Sequence, residues 1–204
     1  MNTKAHWENI YQSKEPTQVS WFQAHAEISL GLIQRSGIQP GEPIIDIGGG
    51  TSRLVDDLLA SGYQAITVLD ISAEALRLAQ KRLGAQAGRV TWLEGDITEL
   101  SLAPETYAVW HDRAVFHFLT QPAERQRYIE RACRAVRPGG FVIVATFAVD
   151  GPSRCSGLDV VRYSPESLHA EFGSDFELVD RAEETHHTPA GAEQKFMYCC
   201  CRRR

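Results

Sequence analysis

Several things are scarce or missing in this chain of 204 residues. No apolar run approaches the roughly 18 residues of a membrane span, and mean hydropathy is −0.26, so no membrane partner is expected. There is no basic stripe: 21 Lys and Arg stand against 26 Asp and Glu, a formal charge of −5. That balance argues against bulk nucleic-acid binding. The short basic end, Arg202 to Arg204, reads as a solvated terminus. The cysteines, Cys133, Cys155, Cys199, Cys200 and Cys201, are odd in number and three are consecutive. Neighbouring cysteines do not bridge each other readily, so no disulfide framework is expected. Neither Cys-x-x-Cys nor a spaced His/Glu set is present, and no metal site is expected. Repeats and low-complexity stretches are missing too, and 16 Gly and nine Pro are ordinary counts. The start, Met1 to His6, is polar and lacks the basic-then-apolar order of a secretion signal. A cytoplasmic protein with one fully cored domain is the expectation.

What is there is an alternation of short apolar runs and helical periods. The run 44–47 reads as a buried strand and ends in Gly48-Gly49-Gly50. Residues 52–60 place Leu54, Val55, Leu58 and Leu59 on one helix face. Strands follow at 65–69, 90–93, 107–110 and 141–147, with helices from Ser72 and over about 123–136. Pro138-Gly139-Gly140 is read as the break before the fifth strand, and Ser164 as the cap of a short helix. Segments 177–183 and 194–200 read as a closing antiparallel pair around the loop 186–191. The fold class expected is α/β, Rossmann-like: a mostly parallel seven-stranded sheet with helices on both faces and a C-terminal antiparallel hairpin. Residues 1–40 are expected as a helical cover of the active site, and 41–204 as the main domain.

Ligands of such sheets sit outside the carboxyl ends of the strands. Asp46 with Gly48 and Gly50, Asp70 with Ile71, Asp96 with Ile97, and Asp112 all fall there, so they should ring one crevice. The glycines let backbone approach a ligand and open a helix whose free N–H groups suit an anion. Asp70 is placed to accept from both ribose hydroxyls, and Asp96 from an adenine amino group while Ile97 packs the ring. A dinucleotide-binding loop would want Gly where Arg53 stands, which disfavours an NAD-dependent oxidoreductase.

These residues resemble the class I S-adenosylmethionine-dependent methyltransferases over about residues 40–200. Asp46-Ile47-Gly48-Gly49-Gly50 is similar to the family's first motif, Asp70 to its ribose acid, and Gly95-Asp96-Ile97 to its adenine motif. Arg137-Pro138-Gly139-Gly140 with 141–145 is similar to its turn and fifth strand. Ser52 departs from the third glycine many relatives carry. The resemblance implies S-adenosylmethionine as cofactor, its ammonium held by Asp46 and loop carbonyls, and methyl transfer as the activity.

The acceptor end is read from weaker likenesses. Trp110-His111-Asp112-Arg113-Ala114 with Arg127-Tyr128 resembles thiopurine S-methyltransferases, while His6-Trp7-Glu8, Tyr11 and Trp21-Phe22 resemble small seven-strand lysine methyltransferases. A small-molecule acceptor is expected, with a protein lysine substrate or cofactor binding without turnover as alternatives. Candidate catalytic residues are Asp112, Arg113 and His117. Arg113 either orients an acidic substrate or pairs with Asp112 to fix the loop, and His117 is either a general base or a packed core histidine. Trp21, Arg154 and Tyr163 are the candidate substrate-binding residues. Cys200 is expected to face away from Cys199 and Cys201 on the last strand.

Overall fold

In the computed structural model, which describes residues 3–204, five parallel strands come first. They are β1 (Ile44–Ile47), β2 (Ile66–Asp70), β3 (Val90–Glu94), β4 (Tyr107–Arg113) and β5 (Val136–Phe147). A small hairpin follows, β6 (Arg154–Cys155) and β7 (Leu158–Asp159), then the long antiparallel pair β8 (Phe176–His187) and β9 (Glu193–Arg203). The sheet order β3-β2-β1-β4-β5-β9-β8 is the seven-strand, mostly parallel arrangement expected from the sequence. Among the described residues six α-helices accompany it: α1 (Thr3–Ser13), α2 (Glu27–Arg35), α3 (Leu54–Ala60), α4 (Ala73–Leu83), α5 (Pro122–Ala135) and α6 (Pro165–Phe172). Residues 1–2 of the expected N-terminal cover lie outside the described residues. Among the described residues, no helix is long and apolar enough to cross a membrane.

Both faces of the sheet are packed, and alternate residues of each strand serve opposite layers. Ile44, Val109, Ile143 and Cys200 join Leu32 and Ile33 of α2 and Leu54 and Leu58 of α3 in one layer. Ile45, Trp110, Val142, Cys199 and Cys201 join Tyr128 of α5 and Leu168 of α6 in the other. Cys200 thus faces away from its neighbours, and burial pushes its thiol and that of Cys199 up to about 12. They behave as small apolar side chains.

The helix starts follow capping chemistry. Ser72 Oγ accepts from Ala75 N at 3.1 Å, Ser164 Oγ from Ser167 N at 3.2 Å, and Ser52 Oγ from Leu54 N at 3.1 Å. The two N-terminal helices pack in different places. α1 lies against α4 at the carboxyl edge of the sheet, whereas α2 packs on the sheet face, with Asp57 accepting from Ala26 N at 2.8 Å at its start.

Two details differ from the expectation. The Pro138-Gly139-Gly140 segment lies inside β5, which begins at Val136; the β4–β5 register shifts between Tyr107 and Val109 to absorb the extra residues. A Cβ on Gly140 would meet Ala108 O at 3.0 Å, so a glycine is what permits the strands to close there. No strand is expected from the sequence between 147 and 164, where the β6–β7 hairpin lies, turned by Ser156 (φ 50°) and Gly157 (φ 80°), the double positive φ of a tight two-residue turn.

Candidate cofactor and acceptor site

A cavity of about 1080 Å³, its open mouth included, lies across the carboxyl ends of the parallel strands. Three strand ends supply one side: Ile47-Gly48 after β1, Leu69-Asp70-Ile71 at β2, and Gly95-Asp96-Ile97-Thr98 after β3.

The glycine turn is closely fitted. Gly48 and Gly50 have positive φ (63° and 40°). A Cβ on Gly48 would lie 2.1 Å from Val115 Cγ2, and one on Gly49 would lie 2.6 Å from Asp46 Oδ2. At Gly50 it would lie 2.7 Å from Asp70 Oδ2. Side chains at these positions would collide with their neighbours, and Gly48 brings bare backbone to the cavity wall.

Asp70 Oδ1 accepts from Ser72 N at 2.8 Å. Burial, reinforced by Asp46 and Glu8 and opposed by backbone donors, raises this carboxyl to about 7. Asp96 uses Oδ1 for both Thr98 N (2.8 Å) and Thr98 Oγ1 (2.7 Å), which fixes its carboxylate at the rim. Ile97 is buried in the cavity wall. These donors, acceptors and bare turns fit a nucleoside with ribose hydroxyls and an exocyclic amine.

The opposite end is aromatic. Trp7 of α1, Trp21, Phe118 and Phe196 line it, with Trp7 edge-on to Trp21 (5.8 Å) and to Phe118 (5.1 Å), and Tyr11 of α1 reaches from Trp21 (6.1 Å) to the Gly50–Asp70 side. Arg113 enters at this end with its guanidinium over Phe196, 4.2 Å from the ring centroid. Its charge is met by Glu184 at 3.3 Å, while Tyr198 Oη accepts from its Nε at 3.0 Å and donates to Glu184 at 2.7 Å. Gln23 also hydrogen-bonds Glu184. Arg113 thus pairs with Glu184 and not with Asp112. That partner is 71 residues away in sequence, and no local pattern announced it.

The remaining candidates are placed as follows. Asp112 is fully buried beneath the cavity. It accepts from Val115 N (2.8 Å), Phe116 N (3.0 Å) and Tyr128 Oη (2.6 Å), and burial raises it to about 6. From beneath the cavity it shapes the turn that holds Ala114 at φ 73°. His117 is also fully buried, packed on Phe118 and Phe147, and burial lowers its ring to about 3. It packs in the core, where a charged imidazolium is disfavoured.

Arg154 and Tyr163, expected at the acceptor, are not in the cavity wall. Arg154 is exposed on the β6–β7 hairpin and pairs with Asp159 at 3.0 Å. Tyr163 packs on Phe116 and donates to Glu171 at 3.3 Å, on the far side of β5. The hairpin contributes Cys155 to the wall instead, its thiol raised by burial, and β9 contributes Gln194. Asp46 lies under the glycine turn with His111 Nδ1 2.7 Å from its Oδ1, so any service to the ammonium end passes through the turn.

Residues 44–140 match the family model described as a methyltransferase domain. The matched stretch holds the glycine turn and the strand ends at Asp70 and Asp96, and the seven-strand topology is one the chain shares with solved S-adenosylmethionine-dependent methyltransferases. Among curated relatives, it is 26% identical over 149 residues to the mouse (Mus musculus) eEF1A lysine and N-terminal methyltransferase, covering 70% of this chain and 21% of that one. It is 32% identical over 111 residues to the ubiquinone/menaquinone biosynthesis C-methyltransferase UbiE of Roseobacter denitrificans, covering 53% and 43%. The chain thus spans about a fifth of the length of the first relative and under half of the second. Among solved structures, an S-adenosylmethionine-dependent methyltransferase from Anabaena variabilis aligns with TM-score 0.75 at 16% identity, over 100% of this chain and 96% of that one. A protein solved in work on conversion of a disulfide bond into a thioacetal group during echinomycin biosynthesis aligns with TM-score 0.80 at 17% identity, over 99% and 92%. Both likenesses are of fold.

Proposed function

We propose that the protein transfers the methyl group of S-adenosylmethionine to a small, uncharged acceptor bound between Trp21 and Phe196. When bound, the cofactor supplies a methyl group made electrophilic by its sulfonium. The chain's own residues bind, orient and exclude water. The Gly48–Gly50 turn admits the amino-acid end, Asp70 accepts from the ribose hydroxyls, and the second oxygen of Asp96 accepts from the adenine amino group beside Ile97. Trp7, Tyr11 and Trp21 cover the reacting end and keep water from it. Catalysis is then mainly alignment of acceptor and methyl group.

The observation that carries the acceptor class is the pairing at Arg113. Its charge is matched by Glu184, and the carboxylates among the described residues lining the cavity, Asp70, Asp96 and Glu124, border its nucleoside side. An acceptor that enters with a charge of either sign finds no unpaired partner among the rings. The test is methyl transfer from labelled S-adenosylmethionine to the small-molecule and the protein fractions of a cell extract. Label in the small-molecule fraction supports the reading. Label confined to protein lysines, as the name of the mouse relative suggests for that protein, overturns the acceptor class.

A further inference from the structure

Beneath the glycine turn runs a chain of polar groups that the methyl-transfer reading leaves unused. His111 on β4 and Asp46 on β1 are register partners, and their side chains meet at 2.7 Å (Nδ1 to Oδ1). On its other edge, His111 Nε2 lies 2.8 Å from Ser29 Oγ of α2. All three are buried, at 1% exposure for Ser29, 2% for His111 and 3% for Asp46. With a neutral ring, one arrangement satisfies every member. Nδ1–H donates to the carboxylate, and Nε2 accepts from the Ser29 hydroxyl. The acceptor-only carboxylate selects this tautomer, and Ser29 holds the ring in place by donating to its other nitrogen.

Asp46 in turn supports the turn. Its Oδ2 lies against Gly49, 2.6 Å from where a Cβ would stand. Rotation of the carboxylate would press on that backbone or withdraw its support, and Gly48, next to it, lines the cavity. We propose that Ser29 and His111 are positioning residues for the amino-acid end of the cofactor, acting through Asp46 on the Gly48-Gly49 backbone. The proposal rests on the cofactor reading above. It also gives α2 a role besides covering the sheet, since the hydroxyl that orients the relay comes from this helix. Without the hydroxyl, Nε2 loses its buried partner and the ring is no longer held against Asp46.

The prediction is selective by ligand. S-adenosylhomocysteine carries the amino-acid end, whereas 5′-methylthioadenosine keeps base, ribose and sulfur and lacks it. Calorimetric titration of Ser29→Ala should show S-adenosylhomocysteine binding weakened by more than twofold. Binding of 5′-methylthioadenosine should stay within twofold of the parent. His111→Asn keeps an N–H donor near Asp46 and breaks the link to Ser29. It should show the same split, and it serves where Ser29→Ala does not fold by thermal melting. Equal weakening of both ligands, or unchanged binding of both by a folded variant, overturns the relay while leaving the cofactor reading intact. A parent protein that binds neither ligand overturns the cofactor reading and the relay together.

Discussion

A Cβ added to Gly50 would stand 2.7 Å from Asp70 Oδ2 and 3.1 Å from the Tyr11 hydroxyl. The glycine turn, the acid after the second strand and the N-terminal helix therefore converge on one point at the mouth of the cavity. Gly50→Ala should cost about 1–2 kcal/mol of stability through its positive φ and crowding. It should also weaken S-adenosylmethionine binding at least tenfold. Thermal melting and calorimetry read the two effects separately, and unchanged affinity would remove the turn from the site.

The raised carboxyl of Asp70 gives a pH dependence whose sign is fixed. The folded apo protein keeps this proton up to about pH 7, while the unfolded chain releases it near 4. Between those values the folded state binds more protons, so this group's contribution to stability is full below pH 4 and lost as pH rises through 7. Asp70→Asn should flatten that part of the melting profile and raise the apo melting temperature at pH 8.

Cofactor binding should show the opposite slope. Ribose hydroxyls donate to the ionised carboxylate, so affinity should rise with pH through 7, and binding at pH 6 should release close to one proton. Titration in buffers of different ionisation enthalpy measures that release. No proton release at pH 6 would separate Asp70 from the ribose.

Much of this site follows from rules that act over short stretches of chain. Apolar runs ending in Asp70 and in Gly95-Asp96 mark strand ends, and Ser72 marks a helix start because its hydroxyl satisfies a local backbone donor. What was hidden depends on strands brought together from afar. Glu184 meets Arg113 because β9 is inserted between β5 and β8. Ser29 reaches His111 because α2 lies on the sheet face, a placement that a nine-residue helix does not announce. Tyr163 was misplaced because the chain after β5 doubles back through the β6–β7 hairpin, which sends Cys155 and not Tyr163 into the cavity.

The buried pair at the acceptor end should be intolerant of half-removal. Glu184→Ala leaves the Arg113 guanidinium without its counter-charge among Phe196 and Trp21. An uncompensated buried charge costs about 3–5 kcal/mol. Urea unfolding should show that loss, and Arg113→Met combined with Glu184→Ala should recover much of it. A loss below about 1 kcal/mol for Glu184→Ala would contradict a buried, paired Arg113.

Glu8 ties α1 to the cofactor edge. Its carboxylate accepts from Ala73 N (2.7 Å) and Glu74 N (3.2 Å), and from Ser72 Oγ (3.0 Å), at the start of α4. A carboxylate at a helix N-terminus stabilises it by about 1 kcal/mol. Glu8→Ala should speed amide exchange across α1 and raise the cofactor dissociation rate several-fold while leaving exchange of β4 and β5 unchanged. Uniform exchange with the parent would show that α1 is held by its aromatic contacts alone.

The most direct measurement is calorimetric titration of the purified apo protein with S-adenosylmethionine, S-adenosylhomocysteine and NAD, with Asp70→Ala alongside. The account predicts saturable binding of both sulfur nucleosides, none of NAD, and at least tenfold weaker binding in the variant. Folded protein that binds neither sulfur nucleoside, or binds them equally well without Asp70, would contradict it.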